Sequence, residues 1–90
     1  MLKQAHCYIR GDVIGVGFRA WTKIQAKIFG VKGWVRNVGD EVETLLQAEE
    51  DRVNKMINKL KQGPPVSRVD DIEIIWEELK EAFSDFEIRR

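Results

Sequence analysis

The stretch GDVIGVGFR, residues 11–19, separates a segment of alternating apolar residues from one with helical spacing. Three glycines in it weaken both strand and helix, so the backbone at this junction bends for a reason other than regular structure. Upstream, Ala5, Cys7 and Ile9 alternate with His6 and Tyr8, the pattern of a half-buried strand. Downstream, residues 19–29 read RAWTKIQAKIF. There Trp21, Ile24 and Ile28 share one helical face, Lys23 and Lys27 lie off it, and Gly30 supplies a C-terminal stop. The junction is therefore read as a strand-to-helix turn.

The same two periods continue along the chain. VKGWVRNV, residues 31–38, sets Val31, Gly33, Val35 and Asn37 against Lys32, Trp34 and Arg36; Gly39-Asp40 turns the chain, and EVETLLQA returns it with Val42, Thr44, Leu46 and Ala48 on one side. A second helix opens with Glu49, Glu50 and Asp51, closes with Lys59 and Lys61, and carries Val53, Met56, Ile57 and Leu60 as its apolar stripe. Gly63-Pro64-Pro65 ends it. Residues 69–77, VDDIEIIWE, read as a fourth strand with Ile72, Ile74 and Trp76 inward. LKEAFS then forms a loop or a helical turn, and DFEIRR gives a short last strand through Phe86 and Ile88. The order is β-α-β-β-α-β plus that strand. Two helices on one face of a mostly antiparallel sheet make an α+β, ferredoxin-like split βαβ sandwich.

Ninety residues, without repeat or linker, are expected to form one domain with a core that needs no metal or disulfide. Fifteen basic residues balance fifteen acidic ones, which removes the broad electrostatic case for nucleic acid or an anionic membrane as partner. Cys7 is the only cysteine, the N-terminus lacks the apolar segment of a signal peptide, and no apolar run approaches the ~20 residues of a membrane span. A cytoplasmic protein is the expectation.

Glycine-rich strand-to-helix turns can aim successive N–H groups at one small space, and the positive end of the following helix adds to their attraction for an anion. Arg19 has a planar fork that matches two phosphate or carboxylate oxygens. No Gly-Lys-Ser/Thr follows, and the spacing is not Gly-x-Gly-x-x-Gly, so a single phosphoryl group fits better than a nucleoside triphosphate. A purely structural turn, with Arg19 paired to a surface carboxylate, is the alternative. Asn37, near the end of the second strand, can approach this turn in a split βαβ fold and accept a hydrogen bond from a water. Its alternative role is to start the turn at Gly39-Asp40.

GDVIGVGFR resembles the first acylphosphatase signature, Gly-x-Val-Gln-Gly-Val-Gly-Phe-Arg, and GWVRN, residues 33–37, resembles the start of the second. SRVD at 67–70 and FEIRR at 86–90 extend the resemblance over essentially the whole chain. It implies hydrolysis of the carboxyl–phosphate anhydride of small acyl phosphates, with neither metal nor other cofactor, by a monomer that inorganic phosphate inhibits as product. It assigns Arg19 to the phosphoryl oxygens, helped by backbone N–H groups of Ile14, Gly15, Val16, Gly17 and Phe18, and Asn37 to the attacking water. Ile14 stands where the family usually has glutamine, the turn after Asn37 is one residue short, and Ala48 replaces a common glycine.

Other chemistries find less support. His6, the only histidine, faces away from Cys7, so the two do not make a metal pair. Tyr8, Trp34 and Leu45 share the sheet face without helices, but EVETLLQA lacks the aromatic signature with which such folds stack RNA bases. Two further readings stay beside the enzyme: a ferredoxin-like module that holds an anion without turnover, and a domain of a larger carbamoyl-phosphate-processing protein.

Overall fold

A computed structural model describes residues 1–90 as seven elements: β1 (Leu2–Asp12), α1 (Phe18–Phe29), β2 (Lys32–Val38), β3 (Glu41–Glu49), α2 (Glu50–Gln62), β4 (Arg68–Glu77) and β5 (Phe86–Ile88). The strands form one sheet in the order β4-β1-β3-β2-β5, antiparallel except for the β2–β5 pair. This is the split βαβ arrangement read from the sequence, widened by β5 at one edge. No helix is long and apolar enough to cross a membrane.

Strand alternation sends Ala5, Cys7, Ile9, Val35, Val42, Leu46 and Ala48 to the helix side, where all are buried with Val53, Met56, Ile57 and Leu60 of α2. The stripe on α1 differs from the expected one. Ile24 and Ile28 are 58% and 67% exposed, whereas Phe18, Thr22, Gln25 and Ala26 are buried, with Trp21 and Phe29 packed at their margin. Both stripes have helical spacing. The buried one brings the larger aromatic rings and the small Ala26 against the sheet, and Thr22 satisfies its hydroxyl internally by donating to Phe18 O at 2.7 Å. Trp76 also departs from expectation: it is 48% exposed, on edge strand β4, beside Lys3 and Glu50, where the helix layer begins. LKEAFS is an irregular loop.

That loop carries the chain from β4 to β5, at opposite edges of the sheet, past the open face. Gln47 fastens it there, donating to Glu81 O at 2.7 Å and accepting from the Phe83 N–H at 3.0 Å. Trp34 and Leu45 are buried on this face, and Arg36 and Arg89 lie over the indole at 5.3 and 5.1 Å. His6 has Glu43 at 2.5 Å on one ring nitrogen and Glu77 at 3.1 Å on the other. Burial pushes the Glu43 carboxyl up, but hydrogen bonds and charge from Arg36 and His6 outweigh it and hold it below its ordinary value. Glu77 is likewise lowered, first by the hydrogen bond from Gln4 and then by His6.

Ile28→Ala is expected to change unfolding free energy by less than about 0.5 kcal/mol, whereas Ala26→Leu overpacks the helix–sheet interface and costs about 1–3 kcal/mol. Urea titrations of the two variants measure both. Glu43 and Glu77 titrate lower in the folded chain than in the unfolded one. Their contribution is therefore whole above the unfolded value of 4.5 and is lost as pH falls through the folded values. The urea midpoint should drop as pH falls below about 4.5, and Glu43→Gln should shrink that drop.

Candidate active site

Between β1 and α1 the chain is pinned at alternate points. Val13 and Phe18 are buried, Val16 packs against the core, and Ile14, Gly15 and Gly17 are exposed between them. Gly15 and Gly17 have φ of 77° and 75°, in the left-handed region where a side chain is strained even though open space surrounds both positions. Gly17 is the N-cap of α1, with no side-chain cap and no acidic residue in the first turn. Among the hydrogen bonds of turns, loops and caps, none has its donor between Ile14 and Ala20; the first belongs to Trp21, which donates to Gly17 O at 3.0 Å. The turn thus keeps a run of unspent N–H donors at the positive end of a helix, the arrangement that attracts an anion.

A cleft of about 360 Å³ opens in front of this turn, lined by Val13, Gly15, Gly17, Phe18, Arg19, Ala20, Asn37, Ile88 and Arg90. Arg19 and Asn37, separated by a helix and half a strand in sequence, meet here as expected. Arg19 is half-buried and belongs to none of the chain's ion pairs, so it is not spent on a surface carboxylate. Asn37 is half-buried, and its Oδ1 is buried with no hydrogen-bond partner in the protein. A buried carbonyl oxygen without a donor is costly, and a donor arriving in the cleft would relieve it. No acidic side chain, thiol or imidazole lines the cleft.

A family model for acylphosphatase matches residues 5–88. The chain belongs to the acylphosphatase family. It is 48% identical over 89 residues to an acylphosphatase of Pyrobaculum calidifontis, an alignment covering 97% of this chain and 81% of that one. The crystal structure of acylphosphatase from Bacillus subtilis superposes with a TM-score of 0.94 at 33% identity, covering 100% of both chains. Full-length HypF, in a phosphate- and nucleotide-bound form, contains a similar part: the match covers 100% of this chain and 12% of that one, at 30% identity and a TM-score of 0.92.

Ile14 departs from the first signature; its side chain is 39% exposed, and neither it nor Val16, which packs against the core, lines the cleft. Ile88 and Arg90 enter the site without having been marked by either signature. The alternation of Phe86 and Ile88 was legible, but the parallel pairing of β5 with β2 was not, and that pairing brings Ile88 and Arg90 to the cleft. A larger open groove of about 660 Å³, between Trp34, Leu45 and Phe83 on the other sheet face, has its inner polar side chains Gln4, His6 and Glu77 already bonded to one another and to β3. Gly17→Ala should cost about 1–2 kcal/mol from the left-handed strain. Because the strain falls on the turn, phosphate binding measured calorimetrically should weaken while the circular dichroism spectrum is kept.

Proposed function

We propose that this acylphosphatase hydrolyses small acyl phosphates in the cleft by positioning and charge alone, with Arg19 and Asn37 as its catalytic residues. The buried, unpartnered Oδ1 of Asn37 beside an unpaired guanidinium and a turn of free N–H donors carries this proposal. Backbone N–H groups of Ile14 through Phe18 and the fork of Arg19 take the phosphoryl oxygens, where charge gathers in a loose transition state. Asn37 Oδ1 accepts from a water and aims its lone pair at phosphorus. The water oxygen bonds to phosphorus as the bond to the acyl oxygen breaks, and the water's proton passes to a phosphoryl oxygen. The departing carboxylate is a weak base and needs no general acid. The side chains at the cleft are cationic, carboxamide or apolar, a poor set for a divalent cation, which takes carboxylate and carbonyl oxygens.

Replacement of the family's glutamine by Ile14 leaves this scheme intact, since residue 14 contributes an N–H rather than a side chain. The proposal extends to a single-domain monomer in the cytoplasm. Cys7 is free and buried, and burial pushes its thiol up to about 12, which makes it an inert core residue.

Phosphate release from acetyl phosphate, measured with EDTA present, tests the proposal. Arg19→Ala should lose roughly 10²–10³ in rate together with inhibition by inorganic phosphate. Asn37→Ala should lower kcat by a comparable factor while phosphate still inhibits. Folded wild-type protein that releases no phosphate would leave a module that binds an anion without turning it over.

A further inference from the structure

Arg90 lines the cleft with Arg19 and Asn37, and the course of β5 explains how it arrives there. In the parallel pair, Gly33 lies beside Phe86 and Val35 beside Ile88. The Arg89 N–H donates to Val35 O at 2.8 Å, so the pairing continues beyond the last strand residue. One further step of the two-residue period sets Arg90 alongside Asn37, on the side of the sheet where Phe86 is buried. Arg89 turns to the opposite side, over Trp34 and over Phe83 at 5.6 Å. Arg10, Arg36, Arg68 and Arg89 each pair with a carboxylate, whereas Arg90, like Arg19 and the distant Arg52, pairs with none. Arg90 shares the cleft with Asn37 and a second unpaired arginine, which leaves its guanidinium free for an incoming anion.

We infer that Arg90 recognises the product phosphate in preference to the substrate, through the oxygen that enters as water. The inference rests on the roles proposed above for Arg19 and Asn37. While the acyl phosphate is intact, its charged oxygens lie against the turn and Arg19, and the place beside Asn37 holds a neutral water. After phosphorus has bonded to that water and released the carboxylate, the same place holds a phosphate oxygen. Arg90 then gains a charge-assisted, fork-shaped contact that the substrate does not offer. A loose transition state puts little charge on the attacking oxygen, so the contact matures late and acts mainly on product retention. Arg90 thereby sets the phosphate concentration at which the enzyme is inhibited.

The test compares wild type, Arg90→Gln and Arg90→Lys for two quantities: Ki for inorganic phosphate and KM for acetyl phosphate. Losing one hydrogen bond to a charged group should raise the ratio of Ki to KM roughly tenfold in Arg90→Gln. Arg90→Lys should fall between, because it keeps the charge and loses the fork. An unchanged Ki removes Arg90 from the site, and a parallel rise of Ki and KM places it on oxygens common to substrate and product; either overturns the inference. Calorimetric titration of inorganic phosphate into the same proteins separates this from failure of the hydrolytic scheme. If wild type releases no phosphate yet Arg90→Gln binds phosphate as tightly as wild type, both ideas fail; weaker binding by Arg90→Gln keeps Arg90 as an anion contact but overturns its preference for product. Arg90 is exposed at the end of the last strand, so equal urea midpoints are the expected check on folding.

Discussion

Phe18 is the residue on which the site depends. It is the first residue of α1, it is almost wholly buried, and its ring meets Trp21 edge-on at 5.4 Å. Burying such a ring is worth about 1.5–3 kcal/mol, and glycine takes the left-handed conformations of the turn without the strain that a Cβ would bring. With Val13 fixed in the core at the other end of the turn and Val16 packed against it, the intervening residues cover a set distance with their N–H groups unspent. The two left-handed glycines follow from that closure. The turn is thus held open by hydrophobic burial outside it, with no hydrogen bond inside it required to maintain it.

The sheet supplies the rest of the cleft by alternation. On β2, Trp34 and Arg36 face the open side while Val35 is buried beneath α1, and the next residue on that side is Asn37, where the covering helix gives way to the cleft. A carboxamide at that boundary is shielded from bulk water without being enclosed by protein donors, which is why its oxygen stays unpartnered. β5 repeats the scheme: Phe86 in the core, Ile88 at the rim, Arg90 in the cleft. Gln47 and Phe83 matter to the site from the far side of the sheet, since they secure the loop that delivers β5 to its edge.

Much of this was legible in the residues, for reasons that also mark where legibility stops. β1 and α2 each have one clear buried face, and their patterns point to the faces the structure buries, whereas β3 is buried on both faces from Val42 to Ala48. α1 carries two stripes of equal spacing, Trp21-Ile24-Ile28 and Phe18-Thr22-Gln25/Ala26-Phe29; hydrophobicity alone favours the wrong one because Thr22 hides its hydroxyl against its own helix. Trp76 has the parity of a core residue, but parity says nothing of where the helix layer ends. Arg19 and Asn37 stood out because they sit at a turn and near a strand end within the two signature stretches. Arg90 had no such mark, and only the identity of its neighbouring strand brings it into view.

Charge bears the same lesson at the scale of the whole molecule. The chain has no net charge, and most of its arginines are matched locally, Arg10 to Glu41, Asp71 and Glu73, Arg36 to Glu43 and Arg68 to Asp70. At the cleft that matching stops: two arginines and the end of a helix line a space without an acidic side chain. A neutral protein with such a cavity exerts little pull beyond the ~8 Å over which physiological salt screens charge. Selection for an anion is then made at contact, by the number of donors that its oxygens can satisfy at once. A phosphoryl group, with several charged oxygens on one small centre, satisfies the fork and the turn together, whereas a carboxylate can engage one of them fully and must leave the other unmet. In the proposed scheme the same count would let the carboxylate depart after hydrolysis while phosphate, still matched to the turn, stays longer.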